Sequence, residues 1–315
     1  MKKTFAQDIL SGLSDYPKHL SSKYFYDAAG DKIFQQIMNM PEYYLTKSEY
    51  EIFQNDKELI LKHINPDKRK FQLIELGAGD GYKTKVLLEY FLKQKSDFEY
   101  IPIDISANVL TLLKNDLHNS FHELKVESLQ GDYFHMLEKI GKNSHLRKLV
   151  MFLGSNIGNF SFDSAISFLK QVSKQLSKED YFLIGIDLKK NPAVILSAYN
   201  DPAGITASFN KNLLIRINRE LGADFVLDNF MHYPVYDPQT GECRSYLLSL
   251  KDQIVNIADL EQNFIFEKYE SIHTEISRKY SLKEINILAE KSGFKVVKNF
   301  TDSNKYYVDS LWQKV

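Results

Sequence analysis

The sequence predicts an α/β protein, a doubly wound and mostly parallel sheet interrupted by a large second region. Three observations predict it. Short apolar runs alternate with amphipathic stretches between residues 71 and 186, and a glycine-rich turn follows the first run. The pattern then changes over residues 191–280 before sheet-like runs return near the C-terminus. At 315 residues the chain is about twice the ~150 residues of a usual single domain, enough for two cores.

Taken in order, Ile33, Phe34, Ile37 and Met38 recur at helical spacing until Pro41 stops the helix. Thr46 opens another, carrying Tyr50, Ile52, Phe53, Leu59 and Ile60. Residues 71–76 read as a buried strand, 84–93 as a helix, and 100–105 as a second strand. A helix through Val109, Leu110, Leu112 and Leu113 follows. Residues 124–129 make a weaker strand, 149–153 a strong one and 181–186 another. Residues 192–221 are mostly helical. A β-like stretch then runs through 233–236, a turn at 238–241, 245–250, 264–269 and 272–276. A helix near 281–291 ends at Gly293, and strands at 294–300 and 306–312 are placed to form an antiparallel hairpin at the sheet edge. These elements divide the chain into N-terminal helices over 1–61, a sheet domain over 62–190 and 281–315, and an α+β insertion over 191–280. The N-terminal helices are expected to pack on the insertion.

Composition narrows the function. Forty basic and 41 acidic residues leave a net charge of -1, with no positive field to hold a polyanion, so nucleic acid is not an expected partner. No apolar run approaches the ~20 residues of a membrane span, and Gln7 and Asp8 break what a secretory signal would need as a continuous apolar stretch. A single cysteine, Cys243, forms no internal disulfide, and no His/Cys/carboxylate cluster suggests a metal. A cytoplasmic monomer acting on a small molecule is the expectation.

The run Ile74-Glu75-Leu76-Gly77-Ala78-Gly79-Asp80-Gly81 lies at a strand-to-helix junction, where glycines let the backbone turn sharply and approach a nucleotide. Its G-x-G-x-G spacing departs from the G-x-G-x-x-G of dinucleotide binders. Asp104 ends the second strand, 27 residues after Gly77, where a carboxylate accepts from a ribose diol. Gly131-Asp132-Tyr133 follows the third strand, where a carboxylate can meet an adenine amino group beside a ring. The three features in this order favour S-adenosyl-L-methionine as cofactor. Alternatively, Asp104 and Asp132 are helix N-caps, a position that favours Asp.

With these features in place, the sequence resembles the S-adenosylmethionine-dependent L-histidine Nα-methyltransferases of the ergothioneine-biosynthesis type. The resemblance runs through nearly the whole chain. Its marks are Lys23-Tyr24-Phe25-Tyr26-Asp27 with Gly30, Pro41-Glu42-Tyr43-Tyr44, the Glu75–Gly79 run, and Gly154-Ser155-Asn156-Ile157-Gly158-Asn159. Further marks are Ala198-Tyr199-Asn200-Asp201 with Gly204-Ile205-Thr206, Asn218-Arg219-Glu220-Leu221, and Thr274-Glu275-Ile276-Ser277. The resemblance implies a Rossmann-type class I methyltransferase domain with a second, discontinuous substrate-binding domain that closes over an amino acid. It implies that Gly77, Lys83, Asp104, Asp132 and Tyr133 hold the cofactor, with Tyr26 near them. It places Phe34 and the loop carrying Gly154 and Asn156 at the substrate. Asn159 and Tyr199 fall on residues for the α-amino and carboxylate end, and Tyr43, Glu275 and Ser277 on residues that read the imidazole. Tyr43 and Asn159 are the candidate catalytic residues, Tyr43 and Tyr26 being candidate proton acceptors.

Two departures from the family pattern stand out. Ser245 lies where the family packs a methionine on the imidazole, and Asn156 where it commonly has threonine. Ser245 removes apolar contact and admits a larger or more polar side chain, whereas Glu275 favours a hydrogen-bond donor such as imidazole. The same chemistry on another amino acid is therefore the nearest alternative. A nicotinamide-dependent oxidoreductase and a non-catalytic binding module are the more distant ones. Plainer roles stay open for single residues: Asn159 can satisfy loop backbone groups, Tyr199 can be core, and Lys83 can be a surface lysine at a helix start.

Overall fold

The structure, a computed structural model, describes residues 2–143 and 145–315. Its helices are α1 (Lys2–Ser14), α2 (Ala28–Asn39), α3 (Tyr44–Ile64), α4 (Thr84–Lys93), α5 (Ala107–Ser120), α6 (Tyr133–Asn143), α7 (Phe162–Lys174), α8 (Pro192–Tyr199), α9 (Ile205–Leu221) and α10 (Leu282–Lys291). The strands are β1 (Phe71–Leu76), β2 (Phe98–Asp104), β3 (Lys125–Val126), β4 (Leu129–Gln130), β5 (Arg147–Phe152), β6 (Tyr181–Asp187), β7 (Phe230–Asp237), β8 (Glu242–Ser249), β9 (Gln253–Ile257), β10 (Gln262–Phe266), β11 (Ser271–Arg278), β12 (Phe294–Thr301) and β13 (Tyr307–Lys314). They form two compact units, Met1–Tyr44 with Lys190–Arg278 and Leu45–Lys189 with Lys279–Val315.

The second unit is the sheet unit. Its strand order is β12-β13-β6-β5-β1-β2-β3, with β4 also on β2. Strands β2, β1, β5 and β6 run parallel, and β13 is antiparallel to both β6 and β12. The C-terminal hairpin is present, with β13 pairing to β6 and β12 left at the edge. β1 is buried along its whole length, Gln72 and Glu75 included, and β5 along nearly all of it, ending in the apolar run Leu149–Phe152. Helices cover the sheet around a core that includes Ile74, Ile103, Val150, Phe182, Leu288 and Trp312. Local chemistry sets the helix starts. Ser106 caps α5 by accepting from the Val109 amide, and Ser281 and Glu284 form a reciprocal capping box on α10.

The first unit holds a three-stranded antiparallel sheet, β11-β8-β7, a separate ribbon, β10-β9, and helices α1, α2, α8 and α9. Phe5, Ile9, Phe25, Phe209, Leu213 and Phe266 are among its core residues. Asp27 caps α2 through the Gly30 amide at 2.8 Å, and Pro192 opens α8, where its missing N–H costs nothing.

Several expectations are corrected. From Leu45 onward α3 belongs to the sheet unit rather than to the N-terminal helices, moving the first boundary from 61 to 44. Its stripe of Leu45, Ser48, Glu49, Ile52 and Phe53 is buried, and helical spacing alone says nothing of which core receives such a stripe. The strand expected over 124–129 is two short ladders, β3 and β4. The run at 264–269 pairs in a ribbon with β9, which sequence reading did not identify, and α6 and α7 were likewise not identified. The helical stretch 192–221 is two helices, parted before Gly204 at φ 71°.

Candidate functional site

In the sheet unit, the expected cofactor residues lie on loops at the C-terminal ends of β1, β2 and β4. Gly77, Gly79 and Gly81 take φ values of 74°, 54° and 64°, a region costly for any residue with a Cβ. The Gly77 amide donates to the Ile103 carbonyl at 2.8 Å and the Gly131 amide to the Asp104 carbonyl at 3.0 Å, which ties the three loops together. A Cβ on Gly77 would stand 2.8 Å from the Tyr133 hydroxyl, whereas one on Gly79 would meet nothing within 4 Å. The Tyr133 phenol is pushed up to about 12 by burial, with Asp104 and Asp132 adding to the effect. It therefore stays protonated and offers a hydroxyl.

Of Asp104 and Asp132, only Asp132 is the helix cap that the plainer reading expected, since Ser106 and not Asp104 caps α5. Oδ1 of Asp104 accepts the Ser106 amide at 2.9 Å, and Oδ1 of Asp132 accepts those of Phe134 and His135 at 3.0 and 3.2 Å, capping α6. In both, only Oδ1 is used; Oδ2 takes no hydrogen bond among the described residues. Glu75 points the other way, into the core, accepting from Thr84 Oγ1 at 2.8 Å and Tyr100 at 2.5 Å. Burial lifts its carboxyl to about 7 although both bonds oppose the shift.

Lys83 is not a surface lysine. Its ammonium pairs with the fully buried Glu49 of α3. Glu49 also accepts the Gly154 amide at 2.9 Å and the Tyr307 hydroxyl at 2.8 Å. Gly154 and Ser155 follow β5 with φ values of 73° and 58°, and Ser155 Oγ accepts the Asp187 amide at 3.0 Å. Asn156 donates to the Leu153 carbonyl at 2.9 Å, so the loop-satisfying role considered for Asn159 belongs to Asn156. Asn159 is exposed, and its side chain makes no hydrogen bond among the described residues.

In the first unit, Tyr26, Phe34 and Tyr43 share an aromatic wall with Phe209. Phe34 lies 5.6 Å from Tyr26, 6.4 Å from Tyr43 and 5.8 Å from Phe209, ring centre to ring centre. Tyr26, expected with the cofactor residues, thus shares this wall with Phe34 and Tyr43, which were expected at the substrate. Tyr43 also packs on a small cluster of Ile195, Ala198, Tyr199 and Cys243. The buried Tyr199 donates to Ser277 Oγ at 2.7 Å. On the neighbouring strand pair, Ser245 lies opposite Glu275, its hydroxyl 3.5 Å from Oε2. A bulge between His273 and Glu275 resets β11, after which Glu275 and Ser277, two residues apart, project on one face. Thr274 turns to the other face and donates to Asn210 at 2.6 Å.

Sequence reading missed Phe209, Glu49, Tyr307 and Asp309. A signal existed for two of them: Glu49 stands in the apolar stripe of its helix, and Asp309 interrupts a run buried on both faces. Among the described residues, no group of three or more His, Cys, Asp or Glu is placed to hold a metal ion.

A family described as histidine-specific, SAM-dependent methyltransferases matches residues 5–314. A histidine N-alpha-methyltransferase of Mycolicibacterium smegmatis is 35% identical over 285 residues, 90% of this chain and 86% of that protein. One of Mycobacterium tuberculosis is 32% identical over 296 residues, 94% and 90% of the two chains. Among solved structures, a mitomycin 7-O-methyltransferase shares the fold, with a TM-score of 0.52 at 12% identity over 100% of this chain and 68% of that one.

The residues present fit S-adenosyl-L-methionine. Gly79 leaves open the space a Cβ would take, and Asp104 and Asp132 each keep an oxygen for a diol or an amino group. The chain is an S-adenosylmethionine-dependent N-methyltransferase with a Rossmann-type class I fold, and it belongs to the histidine-specific, SAM-dependent methyltransferase family.

Proposed function

We propose that this protein methylates the α-amino group of L-histidine, successively, to the trimethyl betaine hercynine. The observation that carries the reading is the polar face on β8 and β11, where Tyr199 is bonded to Ser277 and Glu275 stands beside Ser245. A carboxylate accepts an imidazole N–H, and hydroxyls serve either role toward the ring nitrogens. The match to histidine-specific relatives over most of the chain supports it.

S-adenosyl-L-methionine supplies the methyl group when bound. On this reading Gly77, Lys83, Asp104, Asp132 and Tyr133 hold it, and Asn159 and Tyr199 fix the polar end of the amino acid. Tyr26, Phe34 and Tyr43 line the site with electron-rich faces that favour the cationic methylated amine. An α-amino group titrates near ~8, so loss of its proton costs little, and a water takes it, directly or through the Tyr43 hydroxyl, which passes its own proton on as it receives one. What remains for the protein is orientation: holding the neutral amine in line with the bond that breaks.

The test is a turnover screen of the twenty amino acids with the methyl donor, read by mass spectrometry. Histidine carrying one, two and three methyl groups is the expected product. Turnover of a different amino acid with none of histidine would overturn the reading in favour of the alternative that Ser245 supports. The reading extends to a cytoplasmic monomer without a membrane partner, the single Cys243 suiting a reducing compartment, and without a nucleic-acid partner, given its balanced charge. Among the described residues no helix is long and apolar enough to cross a membrane. Light scattering that returned a dimer mass would count against the monomer.

A further inference from the structure

Beneath the loops of the sheet unit lies a group of polar side chains that the methylation chemistry does not use. Glu49, Tyr307 and Asp309 are each 0% exposed. They come from α3 and β13 and converge on Gly185 of β6, which lies directly opposite Asp309 in the sheet. A Cβ at 185 would overlap Glu49 Oε1, stand 2.5 Å from the Tyr307 hydroxyl and lie 3.2 Å from Asp309 Oδ1. Glycine there makes room for two carboxyl groups side by side.

Their partners are unequal. Glu49 takes the Lys83 ammonium, the Gly154 amide and the Tyr307 hydroxyl. Neither oxygen of Asp309 meets a donor among the described residues. An ionised carboxylate without donors in a site closed to water is among the costliest arrangements a fold can hold. Two neighbouring carboxyl groups resolve it when one keeps its proton and donates to the other. The charged groups around Asp309 agree: burial first, and then the Glu49 carboxylate, push its carboxyl far above the ordinary range, while Lys83 opposes and Asp56 adds a smaller rise.

We propose that Glu49 and Asp309 share one proton and act together as positioning residues, fixing the Lys83 ammonium and the Gly154 amide in the geometry that binds the methyl donor. With Asp309 neutral, Glu49 carries the one negative charge that balances Lys83, and its bond to Gly154 holds the strained turn at Gly154 and Ser155. One anion thereby ties a helix start after β1 to the loop after β5. The proposal rests on the reading that Lys83 belongs to the cofactor site.

The test measures affinity for S-adenosylhomocysteine by calorimetry, with folding checked by the fluorescence of Trp312, the chain's one tryptophan. Glu49→Gln should weaken binding by at least about tenfold, the worth of one charge-assisted hydrogen bond. KM for the methyl donor should rise more than kcat falls. Should that variant not fold, Tyr307→Phe removes a single donor from Glu49 and should weaken binding by about threefold. Asp309→Asn, which keeps a donor toward Glu49, should retain more affinity than Asp309→Ala. It should also remove from the infrared spectrum at pH 8 a deuterium-sensitive carbonyl band of a protonated carboxylic acid. Folded Glu49→Gln or Tyr307→Phe binding as wild type does, Asp309→Asn as weak as Asp309→Ala, or an unchanged carbonyl band would each overturn the proposal. The underlying reading fails separately: wild type binds and Lys83→Met binds equally well.

Discussion

Alanine at Gly77 and at Gly79 should produce two different failures. Both glycines sit in the left-handed region, so either alanine costs ~1–2 kcal/mol of backbone strain. At 77 the new methyl also meets the Tyr133 hydroxyl at 2.8 Å, closer than carbon and oxygen tolerate, and a largely buried phenol must shift. Overpacking of this kind adds ~1–3 kcal/mol, so Gly77→Ala should cost about 2–5 kcal/mol in total and Gly79→Ala about 1–2. Urea unfolding followed by the buried Trp312 reports on the sheet unit, which contains both glycines. Calorimetry with S-adenosylhomocysteine should show the reverse weighting for Gly79→Ala: a small stability loss but a fall in affinity of more than about tenfold, because its methyl enters the open cradle. Tyr133→Phe on the Gly77→Ala background removes the colliding oxygen and should recover the steric share alone. Equal stability costs at 77 and 79, or undiminished cofactor affinity in Gly79→Ala, would refute the reasoning.

In Tyr199→Phe, loss of the bond to Ser277 should raise KM for histidine about tenfold, with cofactor affinity unchanged, as measured by steady-state kinetics. A cycle with Ser277→Ala should be less than additive. Glu75 stays neutral in the fold up to about 7 but ionises near 4.5 when unfolded, so the folded state binds the extra proton between those values. Stability of the sheet unit should therefore fall as pH rises from about 4.5 to about 7, by at most ~3 kcal/mol, and level off above. Glu75→Gln should flatten that slope in urea midpoints taken across the range. Ser245→Met restores apolar contact at a position that is 1% exposed; it should lower KM for histidine, or cost ~1–3 kcal/mol in stability if the methionine has no room, and thermal melts tell the two apart.

The parts legible in the sequence were those with short-range causes. β1 and α4 fall where apolar runs, the glycine turn and helical spacing place them, and the strand–loop junctions carry Gly77, Asp104 and Asp132 as expected. What escaped was set by long-range pairing. The periodicity of α3 was plain, yet its assignment to the sheet unit depends on partners more than thirty residues away, Lys83, Gly154 and Tyr307. β9 does carry β-branched residues, Ile254, Val255 and Ile257, but the run is only five residues long and is told from a loop by its pairing with β10 across a short turn. Asp132 is a cap and still keeps an oxygen free, so the two readings of it were never exclusive.

The near-zero net charge conceals an uneven internal distribution. The sheet unit buries Glu49 with Lys83, and Asp187 with Lys279 at 2.8 Å, both members of the latter pair wholly enclosed. The polar face of the first unit offers hydroxyls, a phenol and the single carboxylate of Glu275. Selection of the amino-acid side chain, on the proposed reading, then falls to hydrogen bonding and not to net charge. The two features of that face pull with unequal strength. Replacing an apolar contact by Ser245 changes discrimination by ~1–3 kcal/mol, since that is what one hydrophobic contact contributes. A site built to hydrogen-bond a substrate group discriminates far more, by about 10⁴-fold against a side chain that lacks the group. On the proposed reading Glu275 therefore outweighs Ser245, and a side chain that presents an N–H to it is favoured even with the apolar contact gone.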